Sequence, residues 1–163
     1  MSSEASGSTS GRGADAEGSE PNQGQDIVEI REVLARYMRA MRLGDVDLMD
    51  DVFLPDAIID YTAIGGSVSP WTETKPWLRE MIAVELFMLF VGDVSVTFDA
   101  DGIGADVESS WHGAFVATPD TPPLTIFGTY DDRFVRTPDG WRIEARKDNP
   151  LLQIPGPPPV PAE

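Results

Sequence analysis

Leu124-Thr125-Ile126-Phe127-Gly128-Thr129-Tyr130-Asp131-Asp132-Arg133-Phe134-Val135, then Thr137-Pro138-Asp139-Gly140, then Trp141-Arg142-Ile143-Glu144-Ala145-Arg146: this stretch decides the fold. The first segment reads as a long strand, with Tyr130, Asp132 and Phe134 on one face. The second is a turn built from Pro, Asp and Gly. The third is a returning strand. Upstream lie two more strands of the same kind. Val94, Val96 and Phe98 alternate, Asp101-Gly102 supplies a turn, and Ala105, Val107, Ser109 and Trp111 alternate again. The stretch from Thr118 to Pro123 is a loop.

Before these strands the period changes from two to between three and four. Ile27, Ile30, Val33, Leu34, Tyr37, Met38 and Met41 follow helical spacing, and Gly44 is placed to end the helix. Asp45 can cap a second, short helix carrying Leu48, Met49, Val52 and Phe53. Ala57 to Thr62 reads as a strand. Gly65, Gly66 and Pro70 mark a loop, and Thr72 or Thr74 can cap a third helix through Trp77, Met81 and Ile82. Phe87 to Val91 fits either the end of that helix or the start of a strand. Helices grouped ahead of a strand meander predict an α+β fold with the helices on the concave face of a curved sheet. A bent sheet closing on a long helix encloses an apolar cone, a natural small-molecule site. Residues 1–25 are polar, small and acidic and are expected to be a disordered arm, 26–150 to be the cone domain, and 151–163 to be a Pro-rich tail, whose Pro-dense stretch from Ile154 to Ala162 cannot join a sheet interior.

Composition narrows the function. Apolar residues make up 41% of the chain, enough for a core, and the net charge is −16. A surface this acidic without a basic stripe repels nucleic acid and anionic membranes. There is no cysteine, so no disulfide framework, thiolate nucleophile or thiolate zinc site is expected. With one histidine and no clustered ligand spacing, no metal is expected either. Gly65-Gly66 precedes no lysine and makes no phosphate loop. No cofactor is implied. The longest apolar run, Leu86 to Val91, is too short to span a bilayer, and no leader segment stands out, so the expectation is a soluble cytoplasmic protein.

Four strings, in order, resemble the SnoaL-like family. They are Arg36 through Asp47, Phe53-Leu54-Pro55-Asp56-Ala57 with Asp60-Tyr61, Gly128 through Arg136, and Asp139-Gly140-Trp141-Arg142-Ile143. The resemblance implies the nuclear-transport-factor-2-like cone, a fold that hosts dehydratases, cyclases, isomerases and non-catalytic binders. Among its enzymes the scytalone dehydratases are the nearest in pattern. That pattern implies a catalytic role for Tyr61. It also implies an Asp–His dyad, whose aspartate falls at Arg42 and whose histidine falls within Leu89 and Phe90, so both dyad members are replaced. The resemblance further implies a homodimer formed through the outer sheet face, here carrying Asp106, Glu108, Arg142 and Glu144.

Four side chains are candidates for catalysis. Tyr61 shares a strand face with Ala57 and Ile59 and would project into the cone, to polarise a carbonyl or hold water; the alternative is a core tyrosine. Asp132 shares a face with Tyr130 and Phe134, where burial would raise its pKa; the alternative is an ion pair with Arg42, Arg133 or Arg146. His112 could serve as a base, although strand register groups it with Asp106, Glu108 and Ser110 on the opposite face from Trp111. Arg42 could offset developing negative charge, or be solvated at the helix end. Tyr37, Met38, Met41, Trp77, Phe87, Leu89, Trp111, Tyr130 and Trp141 are candidates to line a substrate pocket. Two functions follow: a cofactor-independent lyase, cyclase or isomerase acting on an apolar small molecule, or a binding module of the same fold without chemistry.

Overall fold

The computed structural model describes residues 22–157. Most of the acidic arm and the end of the Pro-rich tail lie outside them. Helix α1 spans Gln23–Leu43 and is capped by Asn22, whose side chain accepts from the Gln25 N–H. Gly44 ends it in the left-handed region at φ 66°, as its place in the sequence predicts. The Asp45 carboxylate then accepts from the Asp47 N–H and starts a 3₁₀ turn over Val46–Asp51. Strand β1 (Phe53–Asp60), a 3₁₀ turn at Thr62–Ile64, the short β2 (Val68–Pro70) and helix α2 (Trp71–Met81) follow. Neither threonine caps α2. Pro70 holds the cap position, and the Thr74 hydroxyl donates back to its carbonyl at 3.1 Å.

The remaining strands are β3 (Leu86–Phe98), β4 (Gly104–Val116), β5 (Leu124–Thr137) and β6 (Gly140–Pro155). The run Phe87 to Val91 is therefore strand. The six strands form one sheet in the order β2-β1-β6-β5-β4-β3, antiparallel except where β1 runs parallel to β6. This is the α+β cone with a curved, mostly antiparallel sheet. Helix α1 packs across β3 and β6, and α2 packs on β1. On β4, Ala105, Val107, Ser109 and Trp111 are buried; on β5, Ile126, Tyr130, Asp132 and Phe134 are. The alternation visible in the sequence is the inward face of the sheet.

Strand β6 departs from expectation in two ways. It continues to Pro155, well past Arg146, so Leu151–Pro155 belong to the sheet. Beyond Lys147 it pairs only with β5, and an edge of this kind tolerates Pro150 and Pro155. It also carries a bulge. Ile143 pairs with Phe134 and Ala145 with Arg133, which leaves Glu144 as an extra residue. Inward residues are Trp141 and Ile143 before the bulge, then Arg146 and Asp148 after it.

Candidate active site

Between α1, α2 and the inner sheet face lies a cavity of about 390 Å³. Its wall is apolar: Met41, Leu78, Met81, Phe87, Leu89 and Ile126 contribute to it. Four polar groups lie together, and Gln153, further along β6, also lines the cavity. Tyr37 comes from α1, Tyr61 from the residue that follows β1, Tyr130 from β5 and Asp148 from β6. Each is at most 3% exposed. The Tyr37 and Tyr61 hydroxyls lie 3.1 Å apart, and either can donate to the other. Trp111 stacks on Tyr130 with centroids 5.5 Å apart, and its Nε1 donates to Asp148 Oδ1 at 3.1 Å.

Burial dominates the electrostatics. It raises the Tyr37 pKa, and it raises those of Tyr61 and Tyr130 well above the usual phenol value, so all three hydroxyls keep their protons near neutrality. It pushes the Asp148 carboxyl up to about 7, against the opposing pull of the Arg146 charge and the Trp111 hydrogen bond. A carboxyl poised there can both take and return a proton at neutral pH.

Of the residues singled out from sequence, Tyr37, Met41, Tyr61, Phe87, Leu89, Trp111 and Tyr130 line this cavity. Others do not. Arg42 is exposed at the C-terminal end of α1, because the helix turns its neighbour Met41 inward. His112 is exposed on the outer face, stacked between Phe90 and Phe127 at 5.0 and 5.7 Å, as β4 register dictates. The carboxylate of Asp132 does point inward, but both its oxygens are taken by Arg146 at 2.7 and 2.6 Å and it does not reach the cavity wall. Met38 packs outside the cavity, its Sδ accepting from the Val91 N–H at 3.1 Å. Trp77 stands behind Tyr61, with ring centroids 5.9 Å apart. Trp141 is buried at the other end of the core, donating to Asp26 at 3.2 Å and covered by the Arg136 guanidinium.

The residue the sequence did not single out is Asp148. Unbroken alternation from Trp141 and Ile143 would turn it outward, and the bulge at Glu144 reverses that. The one available signal is the two-residue spacing of Arg146 and Asp148.

Close packing fixes the Trp111–Asp148 contact. A Cβ added to Gly128 would sit 2.7 Å from the Trp111 ring and 2.7 Å from the Asn149 carbonyl oxygen. Gly128→Ala is therefore expected to cost about 1–3 kcal/mol and to displace Trp111. Chemical denaturation and the indole N–H resonance of Trp111 would register both effects.

Residues 23–147 match the SnoaL-like domain. The chain belongs to the SnoaL-like family. Uncharacterized proteins of Mycobacterium bovis and Mycobacterium tuberculosis are 35% identical to it over 130 residues, 78% of this chain and 87% of theirs. Among solved structures, a protein of Kribbella flavida superposes with a TM-score of 0.73 at 23% identity, covering 82% of this chain and 95% of its own. A candidate scytalone dehydratase of Novosphingobium aromaticivorans superposes with a TM-score of 0.73 at 17% identity, covering 86% and 97%. A hexachlorocyclohexane dehydrochlorinase superposes with a TM-score of 0.70 at 10% identity, covering 82% and 90%. These likenesses establish the nuclear-transport-factor-2-like fold of this SnoaL-like chain. Among the described residues no helix is long and apolar enough to cross a membrane, and no group of three or more acidic or histidine side chains is arranged to hold a metal.

Proposed function

We propose that this SnoaL-like protein is a cofactor-independent lyase or isomerase for a neutral, apolar hydroxy-carbonyl compound. The observation that carries the reading is the Asp148 carboxyl, poised to titrate near neutrality beside three tyrosines in a largely apolar cavity. Ionised Asp148 removes a proton from the carbon beside the substrate carbonyl. The electron pair moves onto the carbonyl oxygen, where the Tyr61 hydroxyl, supported by Tyr37, donates a hydrogen bond to the developing oxyanion. In a dehydration the enolate then expels the β-hydroxyl, which takes the proton from Asp148 and leaves as water. In an isomerisation the proton returns to a different carbon. Among the described residues no cation lines the cavity, which favours a neutral substrate over a carboxylate or phosphate. A panel of neutral β-hydroxyketones, followed by the ultraviolet absorbance of the enone product, tests the assignment. Turnover by the native protein that Asp148→Asn abolishes supports it; equal turnover by both ends it.

A second reading, a carrier without chemistry, draws support from the mutual engagement of the Tyr37 and Tyr61 hydroxyls and from the loss of both expected dyad residues. Tight binding of such ligands without conversion by the native protein would favour it.

We also place a homodimer in this proposal. Phe90, His112, Phe127 and Leu152 are consecutive partners across β3, β4, β5 and β6 and form an exposed row on the outer face. Asp106, Glu108 and Glu144 are exposed, whereas Arg142 is held back by the Asp50 carbonyl and Asp51. A contiguous row of three exposed apolar side chains and an imidazole favours self-association. Phe127→Asp is expected to convert the dimer to a monomer in light scattering, with the fold intact.

A further inference from the structure

Arg146 is fully buried, and its surroundings are ordered in layers. Nε and Nη2 donate to the two Asp132 oxygens at 2.7 and 2.6 Å. The Tyr37 and Tyr130 rings lie 4.3 and 4.1 Å from the guanidinium carbon, and Phe53 lies at 5.4 Å. Nη1 has no partner among the described residues. Tyr130 stacks on Trp111, and Trp111 donates to Asp148. Asp148 itself follows Arg146 by two residues on the inward face of β6. These polar groups of the cavity are thus backed by a fixed cation held in place by a carboxylate and two rings.

We propose that the Asp132–Arg146 ion pair is a positioning and charge-setting element that decides the protonation state of Asp148 in the cavity. This rests on the reading of Asp148 as the proton-transfer group. Asp148 is faced by Arg146 on its own strand, by Asp132 and Tyr130 from β5, by Trp111 from β4, by Tyr37 from α1 and by Tyr61 after β1. From β3 and α2 the cavity receives only apolar side chains, among them Phe87, Leu89, Leu78 and Met81. The tyrosines stay neutral, so Arg146 and Asp132 are the charged groups of that shell, and they act in opposite senses. The Arg146 cation favours ionised Asp148, and the Asp132 anion favours the protonated form. In a site removed from water such charges act strongly. Asp132 also fixes where the cation sits, because its bidentate grip leaves the guanidinium one orientation between the two rings.

The two members of the pair can be separated by experiment on the full chain, without a substrate. Carbon-13 carboxyl NMR reads each aspartate, and Asp148→Asn assigns the resonance. In the native protein Asp148 is expected to titrate near neutrality in a step of its own, distinct from that of Asp132, whose carboxyl burial raises against the opposing pull of Arg146. Asp132→Asn keeps the shape and leaves the cation unopposed, so the Asp148 midpoint is expected to fall by about one pH unit. Asp132→Asn combined with Arg146→Gln removes both charges, and the midpoint is expected to rise by about one pH unit or more. A purely structural pair would not shift the midpoint in opposite directions. Unchanged midpoints in folded variants would overturn the proposal, as would a shared two-step titration of Asp132 and Asp148 in the native protein, which needs no variant. If the midpoints stay fixed while Asp148→Asn abolishes turnover, only the role of the ion pair falls. If they shift as expected while Asp148→Asn stays active, only the proton-transfer reading falls.

Discussion

Asp148→Asn is expected to lower turnover by about 10²–10⁴-fold, the usual contribution of a positioned acid–base group, while making the protein more stable at neutral pH. The second half of this expectation follows from linkage. Folded Asp148 keeps its proton up to about pH 7, whereas an ordinary aspartate releases it near 3.8. Between these values the folded chain binds more protons than the unfolded one, so stability falls as pH rises across that window. The penalty of holding the carboxylate in the cavity at neutrality is on the order of 2–4 kcal/mol, because each tenfold change in proton affinity between the two states is worth about 1.4 kcal/mol. Asparagine is never charged and escapes it. Denaturation curves of the two proteins at pH 5 and pH 8 check this: the advantage of the variant should be small at the lower pH and largest at the higher. A variant that lost activity and stability together would indicate a packing role for Asp148 instead.

Arg146→Met is expected to cost about 3–5 kcal/mol, because it leaves the Asp132 carboxylate buried without its partner. Both side chains of the pair are fully shielded from solvent. Two short hydrogen bonds and two flanking rings offset the desolvation of the guanidinium, and removing the cation strips all of this from Asp132 at once. Adding Asp132→Leu should recover most of the loss, since apolar replacement of an entire buried pair is often neutral. Urea denaturation of the single and double variants measures the difference. Failure of the second substitution to recover stability would mean that Arg146 acts mainly by filling space between Tyr37 and Tyr130.

The fold was legible because its signals are local and agree with one another. Helical spacing from Ile30 to Met41, the stop at Gly44, and the alternation on β4 and β5 all point to the same cone. Much of the cavity wall was legible for the same reason: once Trp111 and Tyr130 are assigned to inward faces, their neighbours two residues away follow. The proton-transfer candidate was not, because a bulge is a feature of pairing between strands and has no strong local code. Asp132 shows the complementary limit. Its inward orientation can be read from alternation, but which of three arginines neutralises it depends on the register of β5 against β6, a long-range property. Arg42 and His112 are candidates by side-chain chemistry alone. Exposure on α1 and on the outer face of β4 removes both from the cavity.

The overhang of β6 past Lys147 bears on solubility. There, among the described residues, the strand has no neighbour on the β1 side, and it carries exposed Leu151, Leu152 and Ile154. A free edge with such side chains is a template on which another molecule could add a strand and begin a fibril. Pro150 and Pro155 offer no amide hydrogen, and the pairing irregularity opposite Phe127 and Gly128 interrupts the regular repeat. Pro150 and Pro155, which this edge position tolerates, therefore also act as gatekeepers against polymerisation.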